Sequence, residues 1–438
     1  MIQYPVALEI IESVAREHRL EYENLVCNPV FGKSYEQLCG RVLAESIASP
    51  EEMPPFDNSA MDGFAICADK TANATLERPT RFRVLGTIAA GTRATEAIGF
   101  TDKQPVCWEI MTGAPFPSGA FDAVVKIEDV QVIRNDQGQI TEILISQPQA
   151  KNQFIRPQGE DFKRGDLVLK AGTRMHSGHV MGFAGLGVTD FRVVRKPRIA
   201  VLSTGNELCL YNTKNLEPGM IRNSSGPFLE TALAHEYSAD VQYFGVVSDD
   251  ADGFLKRLAA IRASSPSPDL IITTGAVSMG KYDFIVEALK RLDAQIYFHK
   301  TAIRPGKPAL FAKLPSIHEK TRENSPEIPS SLFFGIPGNP VSTAVGLRFL
   351  IGPCVRAISG MPVEPPLRVQ LAATIEKPTP LRCFMRATLE GPSGGASVLE
   401  HQGSAIISSL MHSDGWVVLP EGTGQVTAGS WVDFFRER

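Results

Sequence analysis

The sequence predicts a multidomain protein of mixed α/β and β class, with a doubly wound α/β domain in its second half. Three observations carry this prediction. Apolar strand patterns alternate with helical ones from residue 198 to about 360, short alternating strands with turns precede them, and a second β-rich stretch follows residue 362. At 438 residues the chain is also too long for one core, which predicts three or four domains.

Composition is that of an ordinary globular protein, with 43% hydrophobic and 21% charged residues. The formal net charge of −4 argues against a nucleic-acid binder. We expect no membrane span, because no apolar run approaches about 18 residues, and no signal peptide, because acidic residues interrupt the apolar positions at the start. The seven scattered cysteines form no CxxC pair, which predicts reduced thiols and a cytoplasmic location.

The chain begins with a predicted amphipathic helix whose apolar stripe starts at Val6, and the helical pattern is expected to continue until Pro50 stops it. The next stretch is dense in prolines and turn-forming residues, which indicates a shaped loop. Its two aspartates, Asp57 and Asp62, could hold a metal or a substrate. Capping of an Asx turn is the simpler interpretation for either aspartate alone.

Residues 80 to 150 predict a small β-rich domain of short strands, one of them running from 123 to 133. Within it a strand leads into a turn at Thr112, where a side-chain hydroxyl and backbone amides are available together for hydrogen bonds. A further β stretch carries the charged cluster Arg156, Glu160 and Asp161. A solvated turn is the default interpretation of such a cluster.

From residue 198 strands and helices alternate, which implies a mostly parallel sheet flanked by helices. Polar loops end four strands, at residues 203–207, 248–250, 273–280 and 337–340. Ligands of such sheets bind beyond the carboxyl ends of the strands, and loop amides at a helix N-terminus suit an anionic phosphate. One such loop could be a tight turn whose glycines only permit positive φ, but four at one edge favour a shared anion pocket. Asp283, at the start of one helix, suits a cation or a phosphate-bound metal.

Cations follow this edge of the predicted sheet. A hairpin-like stretch from 295 to 314 carries Lys300, Arg304 and Lys307, which fit an oxyanion substrate beside a phosphate. Cations of a solvated helix end are the alternative. Residues 315–330 indicate a surface insertion.

Seven motifs, in this order and spacing, resemble those of the molybdenum-insertion enzymes, bacterial MoeA and the E domain of gephyrin: FDNSAMDGFA, MTGAP, RPQGEDF, LSTGNEL, ITTGAVSMG, RPGKP and GIPGNPVS. The resemblance implies an elongated subdomain from residues 1–50 and 151–196, a β-rich subdomain at 51–150, an α/β molybdopterin-binding domain at 197–360 and a C-terminal β-barrel at 361–438. It also implies a homodimer with the active site in a cleft at the subunit interface.

The implied reaction inserts molybdate into adenylylated molybdopterin, giving molybdenum cofactor and AMP with Mg²⁺. The adenylylating enzyme and apo-molybdoenzymes are implied partners, whereas nucleic acid and membrane are not. The resemblance implies catalytic roles for Asp62, Thr112, Glu207, Asp249 and Asp283, with Glu207, Asp249 and Asp283 as metal ligands. It implies substrate or molybdate contacts for a larger set: Arg156, Asp161, Ser203, Thr204, Gly205, Thr274, Gly275, Ser278, Gly280, Lys300, Arg304, Lys307, Pro337, Gly338, Pro340, Ser342, Arg386 and Ser404.

The chain departs from the family pattern at several positions. Ala276 follows Gly275 where Gly-Gly is usual, Arg304 replaces a lysine, and Asn223 stands where an aspartate is usual, which is expected to lower metal affinity if that aspartate holds magnesium. Three rival functions stay open: a non-catalytic dimeric scaffold of the gephyrin E-domain type, the adenylylation of molybdopterin, and insertion of another oxyanion such as tungstate.

Overall fold

A computed structural model describes residues 1–27, 34–92, 104–117, 119–276, 284–317, 328–391 and 395–437. The chain separates into two compact units by its internal contacts. Unit 1 comprises Met1–Glu45, Ala171–His176 and Asp190–Arg438, and unit 2 comprises Ser46–Lys170 and Ser177–Thr189. The division into four domains at the boundaries given above stays a prediction.

The N-terminal helix α1 (Tyr4–Glu17) forms as predicted, with one face buried. The predicted continuation of helix to residue 50 is wrong. The chain instead forms β1 (Tyr22–Val26), a 3-10 turn (Tyr35–Leu38) and β2 (Val42–Leu43). Gly40 adopts a left-handed φ of +81° before β2, which ends the helical turn, and the apolar residues beyond it are buried by strand pairing.

Unit 2 is built around a six-stranded sheet in the order β8-β5-β7-β6-β10-β9. Two short pairs, β11-β4 and β12-β3, lie outside it. The elements of unit 2 are β3 (Ile47–Ala48), β4 (Asn58–Ser59), β5 (Gly63–Ile66), β6 (Thr80–Ile88), β7 (Val106–Ile110), β8 (Ala123–Lys126), β9 (Gln131–Arg134), β10 (Ile140–Ile145), β11 (Ile155–Arg156), β12 (Leu167–Leu169) and helix α2 (Ser177–Gly185).

The single strand predicted from 123 to 133 is two strands in the structure. A 3-10 turn, Ile127–Asp129, separates β8 from β9. The two strands pair with β5 and β10 and occupy opposite ends of the strand order, so the chain changes partner at this turn. The position of this break is set by pairing with strands that are distant in sequence. The local alternation of apolar and polar residues does not reveal that pairing.

Unit 1 contains the α/β sheet, in the order β17-β14-β18-β22-β21-β19. Its elements are β13 (Asp190–Val194), β14 (Arg198–Thr204), β15 (Leu208–Cys209), β16 (Ile221–Arg222), α3 (Ser225–Glu236), β17 (Asp240–Val247), α4 (Ala251–Arg262), β18 (Leu270–Thr274), α5 (Ile285–Arg291), β19 (Gln295–Phe298), β20 (Ile303–Arg304), β21 (Leu310–Leu314), β22 (Ser331–Ile336), α6 (Pro340–Gly346) and α7 (Gly352–Ile358). Strand β13 lies between β1 and β2 in a separate sheet.

Alternate side chains of the parallel strands are buried on opposite faces of this sheet. Val201 and Ile272 join a core that includes α1, α3 and α7, whereas Leu202 and Ile271 join a core with α4 and α5. Strands β17, β14, β18 and β22 are parallel, and β21 and β19 extend the sheet in antiparallel sense. The predicted doubly wound α/β class is therefore confirmed.

The helical stretch Pro340–Ile358, which joins α6 and α7 through a π-helical turn, is more apolar than expected. Its length of 19 residues and its mean hydropathy of 1.4 would be enough for a membrane span. The expectation that no apolar segment approaches about 18 residues is therefore wrong for this stretch. It is 89% buried inside the structure, which is what a core helix of a globular protein shows.

The C-terminal part of unit 1 is a closed five-stranded barrel, β25-β26-β23-β29-β27, in which β27 pairs back to β25. Its elements are β23 (Leu367–Leu371), β24 (Ile375–Glu376), β25 (Arg382–Glu390), β26 (Gly395–Val398), α8 (Ser408–Met411), β27 (Gly415–Leu419), β28 (Gln425–Val426) and β29 (Trp431–Arg436). Strand β20 pairs in parallel with the start of β25. This pairing fixes the cationic segment after β20 to the barrel, beside the α/β sheet.

Candidate functional site

Strand register brings the polar strand ends of the α/β sheet together. Ser203 of β14 lies opposite Thr274 of β18, and Thr274 lies opposite the last residue of β22. The Thr274 hydroxyl donates to Ser203 Oγ at 3.1 Å, and the Thr204 hydroxyl donates to the Thr274 carbonyl at 3.2 Å. All three side chains are buried, so they form a rigid floor beneath the loops that follow.

Gly275 makes the closest backbone approach at this edge. Its φ is +91°, and its N–H donates to the Ile336 carbonyl at 3.0 Å. A Cβ atom here would lie 2.5 Å from the Thr204 carbonyl oxygen, closer than contact distance allows. Ala276 follows at φ +48°, a left-handed conformation that alanine seldom adopts. The backbone at this edge therefore has little side-chain cover.

A pocket of about 1170 Å³ opens over these strand ends. Its walls are the strand-end loops, the β15–β16 arm, the segment after β20 and the segment at 402–407. Among its lining residues are most of those predicted for the shared anion site: Thr204, Gly205, Glu207, Asp249, Thr274, Gly275, Arg304, Lys307, Pro337, Gly338, Pro340, Ser342 and Ser404. The four strand-end motifs and the cations thus meet in one cavity, although their individual roles stay predictions.

The other predicted site residues are not among those that line the pocket. Ser203 lies in the floor of the pocket, while Lys300 and Arg386 are not among its lining residues. Ser278, Gly280 and Asp283 lie outside the described residues. Asp62, Thr112, Arg156 and Asp161 belong to unit 2.

The pocket carries cations together with two carboxylates. Arg304 and Lys307 are exposed, and neither forms an ion pair with any residue that the structure describes. On another wall, Asp249 Oδ2 accepts from the Asn206 N–H at 3.2 Å, and Asn206 Oδ1 accepts from the Asp249 N–H at 3.3 Å. This reciprocal pair fixes the loop after β17 against the loop after β14, near Glu207. Unpaired cations in a concave site attract anionic ligands.

Arg386 is the most unusual cation near the pocket. It is fully buried on β25, and one terminal nitrogen, Nη2, donates to the His401 carbonyl at 2.7 Å. Its Nε and Nη1 have no hydrogen-bond partner among the described residues. Burial lowers the pKa of Arg386, yet a guanidinium remains protonated in proteins. A buried cation without a counter-ion is costly, so this side chain is suited to a bound anion.

Asn223, singled out as a departure from the family, has a defined structural role. Its amide nitrogen donates to Ser203 Oγ at 2.9 Å and to the Tyr243 hydroxyl at 2.6 Å, and its oxygen accepts from the Gly226 N–H at 3.1 Å. The side chain is buried and fully bonded. Asparagine therefore joins the pocket floor to the N-terminus of α3 as a neutral group.

In unit 2, Asp62 and Thr112 form a direct pair. Asp62 Oδ1 accepts from the Thr112 N–H at 2.6 Å and from its hydroxyl at 2.8 Å. These two donors, the N–H first, hold the pKa of Asp62 below its usual range. In the same unit Arg156 and Glu160 form a half-exposed ion pair at 3.4 Å, and Asp161 is exposed.

We expect Thr112→Val to raise the pKa of Asp62 toward its ordinary value without reaching it, because the N–H donor remains. The lowered native pKa contributes stability above the unfolded-state pKa, and this is lost as the pH falls through the native pKa. A carboxyl NMR titration measures the change. Thr87→Val, which removes a hydroxyl bonded to Glu109 at 2.6 Å, should leave Asp62 unaffected; an unchanged Asp62 pKa in Thr112→Val would refute the assignment.

The chain is similar to known proteins over nearly its whole length. Three family models match the chain: the MoeA N-terminal region (domain I and II) at residues 7–187, a probable molybdopterin binding domain at 200–357 and the MoeA C-terminal region (domain IV) at 368–435. A molybdopterin molybdenumtransferase of Synechococcus elongatus is 40% identical over 395 residues, 90% of this chain and 91% of the relative. The chain belongs to the MoeA family of molybdopterin molybdenumtransferases.

Further MoeA relatives agree with this assignment. A molybdopterin molybdenumtransferase of Staphylococcus epidermidis is 33% identical over 97% of this chain and 94% of its own. A crystal structure of the MoeA protein of Pyrococcus horikoshii OT3 is 25% identical and superposes with a TM-score of 0.76 over 99% of this chain and 100% of that one. The predictions of the family, of its fold and of an enzyme of this type are confirmed.

Sequence reasoning missed residues that the structure places in the MoeA pocket. Arg222 lines the pocket and donates to the carbonyls of Thr213 and Lys214, at 2.7 and 3.0 Å from Nη2. Gln402 lines it as well. Neither lies in one of the strand-end motifs, so only adjacency to Asn223 and Ser404 could have drawn attention to them.

Proposed function

We propose that this chain inserts molybdate into adenylylated molybdopterin, releasing AMP and giving molybdenum cofactor with Mg²⁺. The observation that carries the proposal is one pocket that joins the bare backbone at Gly275 to Arg304 and Lys307, two cations without an ion-pair partner in the part of the chain that the structure describes. The names of the relatives, molybdopterin molybdenumtransferases, support the same reaction. A homodimer, a cytoplasmic location and partnership with the adenylylating enzyme and apo-molybdoenzymes belong to the proposal.

The strand ends would bind the phosphate part of the substrate. Backbone amides around Gly275 and Gly338 lie close together, because a Cβ at Gly338 would be only 3.6 Å from the Gly275 Cα. Such glycine-rich loops let the backbone approach a phosphate without side-chain obstruction. The floor formed by Ser203, Thr204 and Thr274 would hold these amides rigid, so that little reorganisation accompanies the reaction.

The opposite wall would bind molybdate. Ser404 is held there by two bonds, since its carbonyl accepts from the Val341 N–H at 2.9 Å and its Oγ accepts from Asn339 Nδ2 at 3.2 Å. Arg304 and Lys307 supply positive charge beside it, and the buried Arg386 lies behind the same segment. Charge-assisted hydrogen bonds to a dianion are the strongest that side chains make. Holding the oxyanion next to the bound pterin would make their reaction effectively intramolecular.

The carboxylates of the pocket fit Mg²⁺. No group of three or more His, Cys, Asp or Glu that could hold a metal occurs among the described residues. Mg²⁺, however, is commonly held by one or two carboxylates together with substrate phosphates and water. Glu207 and Asp249, both in the pocket, supply such a pair, and Asp283 is proposed as a further ligand. When bound, Mg²⁺ would polarise phosphate oxygens.

The test is to incubate purified protein with adenylylated molybdopterin, Mg²⁺ and molybdate, and to measure AMP release and reconstitution of an apo-molybdoenzyme. We expect AMP release that depends on molybdate and yields active cofactor. Binding without AMP release would favour the scaffold, and ATP consumption with molybdopterin would favour adenylylation. Parallel titrations with molybdate and tungstate test the oxyanion, and light scattering tests the dimer.

A further inference from the structure

Gln402 uses its whole side-chain amide to hold one residue of the barrel. Its Oε1 accepts from the Arg386 N–H at 3.1 Å, and its Nε2 donates to the Arg386 carbonyl at 2.9 Å. The same Nε2 donates to the Leu399 carbonyl at 2.8 Å. An amide is the side-chain group that can accept from an N–H and donate to two carbonyls at once.

These bonds complete a half-formed rung between the two strands, in which the Leu399 N–H donates to the Arg386 carbonyl at 3.0 Å. The ladder between β25 and β26 ends at the pair Ala387 and Val398, one residue before Arg386. On the other side of β25, Arg386 still pairs with Trp416 of β27. The Gln402 amide therefore bridges the other half of this rung, since the Arg386 N–H donates to Gln402 Oε1 and Gln402 Nε2 donates to the Leu399 carbonyl. It fixes the backbone of Arg386 where the regular ladder ends.

The same residue begins the segment that forms the pocket wall. Residues 402–405 line the pocket, and Ser404 is bonded to the start of α6 through Asn339 and Val341. The carbonyl of His401 accepts from Arg386 Nη2. Gln402 thus lies between Ser404, which lines the pocket, and Arg386, which is buried behind this segment, and its bonds hold the backbone of Arg386 against the start of the segment.

We propose that Gln402 is a positioning residue for the oxyanion substrate, holding Arg386 and Ser404 in the relative geometry that an oxyanion requires. This inference rests on the function proposed above. Displacing Gln402 would not remove a ligand; it would let the segment at 402–405 and the backbone of Arg386 shift against each other. The affinity for the oxyanion would therefore fall. The affinity for the pterin nucleotide, which the strand-end loops would hold, would change little.

The test compares Gln402→Glu with Gln370→Glu, a matched change at an exposed glutamine on β23 of the same barrel. A carboxylate keeps the shape of the side chain but cannot donate to the two carbonyls. We expect the KM for molybdate to rise roughly 10-fold to 100-fold in Gln402→Glu, the effect of leaving one or two buried groups unsatisfied. The KM for adenylylated molybdopterin should change less than about threefold, and Gln370→Glu should match wild type in both constants.

A purely structural role would lower the thermal midpoint without separating the two KM values. Equal changes in both constants, or none, in an active and folded Gln402→Glu would overturn the inference while the proposed function stands. Gln402→Met, which adds no charge, is measured beside it and takes its place if Gln402→Glu does not fold. A selective rise in the KM for molybdate in Gln402→Glu but not in Gln402→Met would show charge repulsion by the new carboxylate and would also overturn the inference. Failure of wild type and Gln370→Glu to release AMP in response to molybdate would instead overturn the proposed function.

Discussion

Gly275→Ala is expected to lower molybdate-dependent AMP release by about 100-fold or more and to reduce the free energy of unfolding by roughly 2–5 kcal/mol. Two effects combine at this position. Alanine at φ +91° costs about 1–2 kcal/mol, because the left-handed region brings Cβ against the backbone. The new methyl would also overlap the Thr204 carbonyl, 2.5 Å away, and push the two strand-end loops apart.

A control separates these two effects. Gly422 has nearly the same φ, +90°, but a Cβ there would meet nothing within 4 Å. Gly422→Ala should therefore lose only the backbone contribution, about 1–2 kcal/mol by chemical denaturation, and keep full activity. Equal destabilisation of the two variants, with activity retained in Gly275→Ala, would show that the close contact of the loops does not serve the reaction.

Arg386→Met is expected to leave the free energy of unfolding unchanged or to raise it by up to about 3 kcal/mol, while AMP release falls by about 100-fold. The buried guanidinium has no counter-ion among the described residues and two nitrogens without partners. Methionine removes an uncompensated charge from a fully buried position and fills similar space. Gain of stability with loss of activity is the signature of a site kept for its ligand.

Arg348→Met provides the contrast. Arg348 is also buried, but its two terminal nitrogens donate to Glu364 at 3.1 and 2.7 Å. Removing it takes the bidentate cation away from a partly buried carboxylate, so we expect a loss of about 2–4 kcal/mol and normal AMP release. Denaturant unfolding and the AMP assay measure both variants. A loss of stability in Arg386→Met as large as that in Arg348→Met would make Arg386 a structural residue.

The α/β half of the fold was predictable because its strands carry their signal locally. Three or four consecutive apolar residues followed by a polar loop mark β14, β18 and β22. The same logic predicted that the strand ends meet, since parallel strands share one edge. Residues 18–50 and the break at Ile127–Asp129 were missed because partners far along the chain decide them.

The part of the site that topology alone predicts is the part that coincides with strand ends, whereas Arg304, Lys307 and Ser404 were predicted from a cationic stretch and a family resemblance. Glu207, Asp249 and Gly275 follow strands directly, so topology alone brings them into one pocket. The burial of Arg386 depends on barrel closure, and the role of Gln402 depends on the rung at which the β25–β26 ladder ends. Neither is encoded in a local pattern, and both need the strand register.

The helical stretch Pro340–Ile358 has a consequence for how this protein must be made. By length and composition it resembles a membrane span, and in the folded chain most of its residues are buried. Part of that cover is α1, whose Tyr4 hydroxyl donates to the Phe349 carbonyl at 3.1 Å. Helix α1 thus shields a segment that lies more than three hundred residues further along the chain. Removing α1 would expose apolar surface of this helical stretch, which chaperones and proteases could then bind.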